Sequence, residues 1–189
     1  MSKFSVLYDA CVLYPAPLRD LLMRLALTDL FSAKWTNQIH EEWISNLLKN
    51  RPDLNRASLE RTKNLMNLNA RDCLVEGYEH LIELVKLPDT NDRHVLAAAI
   101  HAHCDAIITY NLKDFPEAAL SPYNIEVIHP DDFIKLQIEL SHQSVILAVK
   151  EHRESLKNPP KTVDDYLETL LKQHLPQTVD YLQKCKDFI

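Results

Sequence analysis

The sequence predicts an α/β fold built on a parallel sheet and followed by an all-helical extension, and three observations carry that reading. Short apolar runs of strand formers stop at polar residues near Asp9, Asn111 and His129. Segments of helical periodicity separate those runs, and strand and helix in alternation are the mark of a parallel sheet. Beyond about residue 140 the strand signals cease and only helical stripes remain. The organisation expected is a domain over residues 1–140 and a helical extension over residues 141–189.

The first strand is Phe4-Ser-Val-Leu-Tyr8, which stops at Asp9. From Pro17 a helix follows, with Leu18, Leu21, Leu22, Leu25 and Phe31 at helical spacing and the proline in the first turn, where its missing N–H costs nothing. Thr36 has the hydroxyl to cap a second helix, whose apolar stripe is Ile39, Trp43, Ile44, Leu47 and Leu48. A third helix is expected at about 55–69, after Pro52. Residues 73–87 are ambiguous between a strand at Cys73-Leu-Val75 and a short helix from Tyr78 to Val85. Val95-Leu-Ala-Ala-Ala-Ile100 is small and apolar almost all round, so that helix should be buried against the sheet. Ala106-Ile-Ile-Thr-Tyr110 and Ile125-Glu-Val-Ile128 are further strands, and Asp131-Asp132 opens a helix through about Leu140. In the extension, helices are expected at about 141–157, 162–173 and 176–187, broken at Asn158-Pro-Pro160.

Composition narrows the functional classes. With 189 residues, 46% apolar and 25% charged, the chain has the make-up of an ordinary folded domain with added elements. No run approaches the roughly 18 apolar residues that span a bilayer, and the start of the chain lacks the apolar length of a signal peptide, so a cytoplasmic protein is expected. Four scattered cysteines with no C-x-x-C pair argue against a disulfide framework or a zinc ribbon and read as reduced. A single glycine, Gly77, excludes the phosphate-binding loops that need several. The net charge of −6 gives no general attraction to nucleic acid, so a polynucleotide must be held locally or through cations.

The chemistry lies in acids. Ligands bind an open parallel sheet outside the carboxyl ends of its strands, where Asp9, Asn111 and Asp114 fall. Asp89 and Asp92 stand at the start of the buried helix that leads into the strand at Ile107. With Glu42 added, several carboxylates converge, and their repulsion calls for a cation. Oxygen donors without a histidine or cysteine set suit Mg²⁺ or Mn²⁺, which points to phosphoryl chemistry. Each residue also has a plainer reading. Asp92 fits an N-cap, a role compatible with metal binding, and Asp89 and Asn111 are turn formers by type. Glu42 is preferred to Glu41 because it flanks the Ile39, Trp43, Leu47 stripe. Arg93 and Lys113 suit either phosphate contact or solvent, and His94, His101 and His103 read as packing or polar groups.

Taken together, Asp9 at a strand end, Glu42 on a helix, Asp89-Thr-Asn-Asp92-Arg-His-Val-Leu-Ala-Ala-Ala and Ile-Thr-Tyr-Asn111-Leu-Lys-Asp114-Phe-Pro resemble a PIN domain of the toxin-like, VapC-like ribonuclease branch. The resemblance covers about residues 1–135. It implies a three-layer α/β/α fold and a Mg²⁺- or Mn²⁺-dependent endoribonuclease. It also implies the toxin of a toxin–antitoxin pair, with RNA as substrate, a cognate antitoxin as partner, homodimers and no membrane. Asp9, Glu42, Asp92 and Asp114 take the catalytic positions, and Asp89 and Asn111 join them as metal ligands. Two positions depart from the pattern. Cys11 stands where many members have Asn, Ser or Thr, and Asn111 stands where many have an acid, so its carbonyl can ligate without adding charge. The alternative is a catalytically weak PIN-like module that binds RNA or protein. A phosphatase is less well matched, since it would want a second acid at position 11.

Overall fold

The computed structural model describes residues 3–189. In chain order its elements are β1 (Ser5–Tyr8), α1 (Ala10–Leu13), α2 (Ala16–Ala26), β2 (Ser32–Lys34), α3 (Asn37–Asn50), α4 (Arg56–Asn69), α5 (Arg93–His101), β3 (Ala106–Ile108), α6 (Glu117–Leu120), β4 (Glu126–Ile128), α7 (Pro130–Leu140), α8 (His142–Ser155), α9 (Val163–Leu171) and α10 (Pro176–Lys184). They form two compact units. One comprises the segment ending at Tyr14 together with Phe31–His129, and the other Pro15–Leu30 with Pro130–Ile189.

The first unit is a four-stranded, all-parallel sheet flanked by helices, with strand order β2-β1-β3-β4. The order reverses between β1 and β3, because the chain leaves β1 toward one edge and β3 toward the other. Such a switch point opens a crevice at the carboxyl ends of the two strands. The register aligns Tyr8 with Ile108 and Ile108 with Ile128, so those ends lie level. Strands β1 and β3 are buried, as expected of parallel strands covered by helices, and α5 lies against both. Its Ala97, Ala98 and Ala99 are fully buried and allow the helix close to the sheet. On the α3 side, Thr36 caps the helix by accepting the Ile39 N–H at 3.0 Å. Buried His40 accepts from the Trp43 indole at 3.0 Å, and the Asn67 carbonyl, which contacts His40 at 3.0 Å, accepts from Trp35 at 2.7 Å, tying α3 to α4.

The second unit is helical. Helix α2 packs on α8 and α9, and α7 on α8 and α10. Buried Asp131 of α7 accepts from Gln177 N–H at 2.8 Å, from Thr178 N–H at 2.9 Å and from the Thr178 hydroxyl at 2.7 Å. It therefore closes the N-terminus of α10, where the backbone donors have no partner within the helix. His152, 1% exposed, meets the Tyr166 hydroxyl at 2.9 Å and lies 3.3 Å from Asp20. Burial pushes its imidazole down to about 4, although Asp20 opposes the shift.

Three elements differ from the sequence expectation. The helix expected to run from Pro17 toward Phe31 ends at Ala26, and Asp29 adopts a left-handed backbone, φ 68°, that turns the chain into β2. That strand, Ser32-Ala-Lys34, has no β-branched residue to announce it. The ambiguous segment at Cys73 contributes an isolated parallel bridge, Trp35 to Leu74, held by Trp35 N–H to Cys73 O at 2.9 Å and Val75 N–H to Trp35 O at 2.8 Å. No helix of the described residues is long and apolar enough to cross a membrane.

Candidate active site

Asp9 follows β1 directly, and its N–H donates to Ile108 O at 3.1 Å, which keeps the residue in register with β3 across the switch point. Although it holds the N-cap position of α1, its carboxylate makes no cap hydrogen bond. Instead Oδ2 accepts from the fully buried Thr109 hydroxyl at 2.7 Å and from the Cys11 thiol at 3.2 Å. The same hydroxyl accepts the Asn111 N–H at 3.0 Å, so Thr109 links the β1 and β3 ends of the site. Tyr110 N–H in turn donates to Cys11 Sγ at 3.3 Å. Burial, and then the Asp9 charge, push the Cys11 thiol up to about 12, so it stays protonated and inert as a nucleophile.

Asp9, Cys11, Glu42, Asp92 and Asn111 line one open cleft of about 370 Å³. Its wall continues along α3 through Asn46 and Asn50 to Tyr14. Glu42 faces this cleft, whereas Glu41 points away to Arg56, at 2.8 Å, and is lowered to about 2 by hydrogen bonds to Arg56 and Ser45. Asp92 stands at the N-cap of α5 without a side-chain cap hydrogen bond. Desolvation first, then the charges of Asp9, Asp89 and Asp114, raise its carboxyl to about 6. Asp89 and Asp114 thus lie within electrostatic reach of Asp92 but outside the cleft lining. The Asp89 carboxylate is engaged locally, accepting Asn91 N–H at 2.8 Å in a turn. Arg93 lies 3.8 Å from Glu83, and Lys113 is exposed.

Three contributors carry no site role in the sequence reading, although Thr109 lies within the Ile-Thr-Tyr-Asn111 block and His94 reads there as a packing or polar group. Thr109 acts on a partner 100 residues away, a separation that no local pattern reveals. His94, 2% exposed, brings Nε2 to 2.7 Å from Glu42 Oε1. This is a close contact that is not aligned as a hydrogen bond. The third is the neutral strip on α3, whose only sequence signal is the four-residue spacing of Glu42, Asn46 and Asn50.

The donors facing the cleft are mostly carboxylate and carboxamide oxygens, which suit a hard cation, and the Asp92 carboxyl, raised by burial first and by neighbouring acids second, is one whose charge such a cation would stabilise. Among the described residues no three His, Cys, Asp or Glu side chains converge into a ready-made cage. A donor set this open fits Mg²⁺ or Mn²⁺, because Mg²⁺ in particular keeps several waters and takes further oxygens from a bound phosphate.

Comparison with known proteins adds to this geometry. A family model described as PIN domain matches residues 5–113, and one described as VapC50 C-terminal domain matches residues 130–184. Over 101 residues the chain is 39% identical to the "Putative ribonuclease VapC50" of Mycobacterium tuberculosis (strain ATCC 25618 / H37Rv). That stretch is 53% of this chain and 59% of the relative, so the chain spans about three-fifths of the curated protein it matches. No solved structure matches it. With the family match running from β1 past β3, and a parallel sheet whose switch point carries the acids, the chain belongs to the PIN-domain family.

Proposed function

We propose that the chain is an endoribonuclease, dependent on Mg²⁺ or Mn²⁺, that hydrolyses RNA phosphodiester bonds at the Asp9, Glu42, Asp92, Asp114 cluster. The observation that carries the reading is the convergence of Asp9, Glu42, Asp92 and Asn111 on one open cleft at the sheet switch point, where burial and three neighbouring acids raise the Asp92 carboxyl. A carboxyl raised by burial and by like charges in a cleft at a sheet switch point suits a site that takes a cation and its phosphate. Asp9, Glu42, Asp92 and Asp114 would hold the ion, with Asp89 and Asn111 ligating directly or through water. When bound, the cation supplies the positive charge that a phosphodiester needs in order to accept a water nucleophile.

The side chains do the positioning. Thr109 and Cys11 fix one oxygen of Asp9, which aims the carboxylate across the crevice and restricts its rotation. His94 sits against Glu42 Oε1 and limits the swing of that longer side chain. Asn111 brings a neutral carbonyl where a further carboxylate would deepen the repulsion. Incubation of single-stranded RNA with Mn²⁺ tests the reading. The wild type is expected to cut and Asp92→Asn to lose activity by about a hundredfold or more, in line with loss of a transition-state contact; equal rates would refute it.

A second reading, a catalytically weak module that binds RNA or protein, is favoured by one feature: Cys11 and Asn111 leave the cleft poorer in charge than an all-carboxylate site. The same RNA assay separates the two. The name of the mycobacterial relative and the second family match support a toxin-like ribonuclease role for this chain. A cognate antitoxin as partner, homodimers as the working form and the cytoplasm as its place are proposed with that role. We further propose a division of labour in which the PIN-like part, expected over 1–140, cuts and the helical extension, expected over 141–189, binds the partner.

A further inference from the structure

We propose that Tyr14, Asn46 and Asn50 form a nucleobase subsite that takes the base adjoining the scissile phosphate in single-stranded RNA; the proposal rests on the ribonuclease reading of the same cleft. Glu42, Asn46 and Asn50 are spaced four residues apart, so they stack as one stripe on successive turns of α3 and all face the cleft. At about 1.5 Å of rise per residue, Asn46 lies roughly 6 Å and Asn50 roughly 12 Å along the axis from the acidic end. That is the reach of a nucleotide leading away from a phosphate held there.

The chemistry of the stripe changes along its length. Its start is anionic, suited to a cation and phosphate, and its continuation carries two carboxamides and a phenol ring without a charged group among them. A surface meant for further phosphates would carry Lys or Arg. Neutral carboxamides instead offer a donor and an acceptor side by side, which matches the edges of bases, and an aromatic ring offers a face for stacking. The Asn50 amide donates to the Tyr14 hydroxyl at 3.2 Å, which joins helix α3 to the end of α1 and holds ring and carboxamide in a fixed relation before any ligand arrives. The net charge of −6 is compatible with this, since a chain without general attraction for the backbone gains from local contacts to the bases.

The test uses the full chain and two readouts. Fluorescence anisotropy with Ca²⁺ in place of Mn²⁺ measures binding of a labelled, mixed-sequence single-stranded RNA, and sequencing of products formed with Mn²⁺ measures the preference around the cut. Asn46→Ala and Asn50→Ala are each expected to weaken binding severalfold, and Tyr14→Ala about tenfold with partial rescue in Tyr14→Phe, which keeps the ring. All are expected to flatten the base preference next to the cut. Circular dichroism and thermal melts establish that each variant is folded. Unchanged binding together with an unchanged cutting pattern would overturn the subsite, as would a wild type that does not bind RNA. A wild type that binds but does not cut would remove the nuclease reading alone, because the anisotropy losses would still support the subsite.

Discussion

The ionisation of Asp92 carries a cost to stability that a single substitution can expose. Its folded carboxyl titrates at about 6 against an ordinary 3.8, so the native state holds the proton more tightly than the unfolded chain does. The favourable contribution is therefore complete below pH 3.8 and is lost as pH rises through about 6. The carboxamide introduced by Asp92→Asn would mimic the protonated acid at every pH. In EDTA, Asp92→Asn is expected to melt above the wild type at pH 7.5, by on the order of 1 kcal/mol once solvent screening is allowed for, and to match it near pH 4. Thermal melts across that range check it; a variant less stable than the wild type at pH 7.5 would contradict the unfavourable ionisation that burial and the neighbouring acids impose on Asp92. Several residues of this group were legible in the sequence because strand ends and helix phase are local properties. Glu42 could be preferred to Glu41 from its stripe alone, and the structure sets Glu42 at the cleft and Glu41 against Arg56. Thr109 was not legible, because its partner Asp9 comes beside it only through the pairing of β1 with β3.

Among the elements, periodicity read well where a cap or an apolar run marked the ends. Thr36 opens α3 as its hydroxyl suggested, Asn55 opens α4 by accepting the Ser58 N–H at 2.9 Å, and the alanine-rich α5 is buried. Strand β2 did not read, since three residues with one apolar member carry no period. Asp131 was legible only as an acid opening α7, while its larger role is to cap α10 from 46 residues away. Asp131→Ala would leave the first donors of α10 unpaired in a buried setting, and is expected to cost about 2–4 kcal/mol. Denaturant unfolding measures the loss, and hydrogen exchange should locate the lost protection in Pro176–Lys184, with Asp131→Asn recovering part of it through its remaining acceptor. An unchanged midpoint in Asp131→Ala would refute the capping role.

For the molecule as a whole, an acidic chain with net charge −6 would have to concentrate any attraction for the proposed RNA substrate in one place. The sheet's switch point offers such a place, because it gathers acids from the end of β1, from α3 and from the α5 start, with Asn111 from the β3 end, around one cleft and leaves Asp114 within electrostatic reach of Asp92. Whether that gathering exists to hold a cation is the central claim, and calorimetric titration of the metal-free full chain with Mn²⁺ at neutral pH tests it most directly. A saturable binding event is expected for the wild type, weakened about tenfold or more in both Asp9→Asn and Asp114→Asn. Absence of binding in the wild type, or equal affinity in all three proteins, would contradict it.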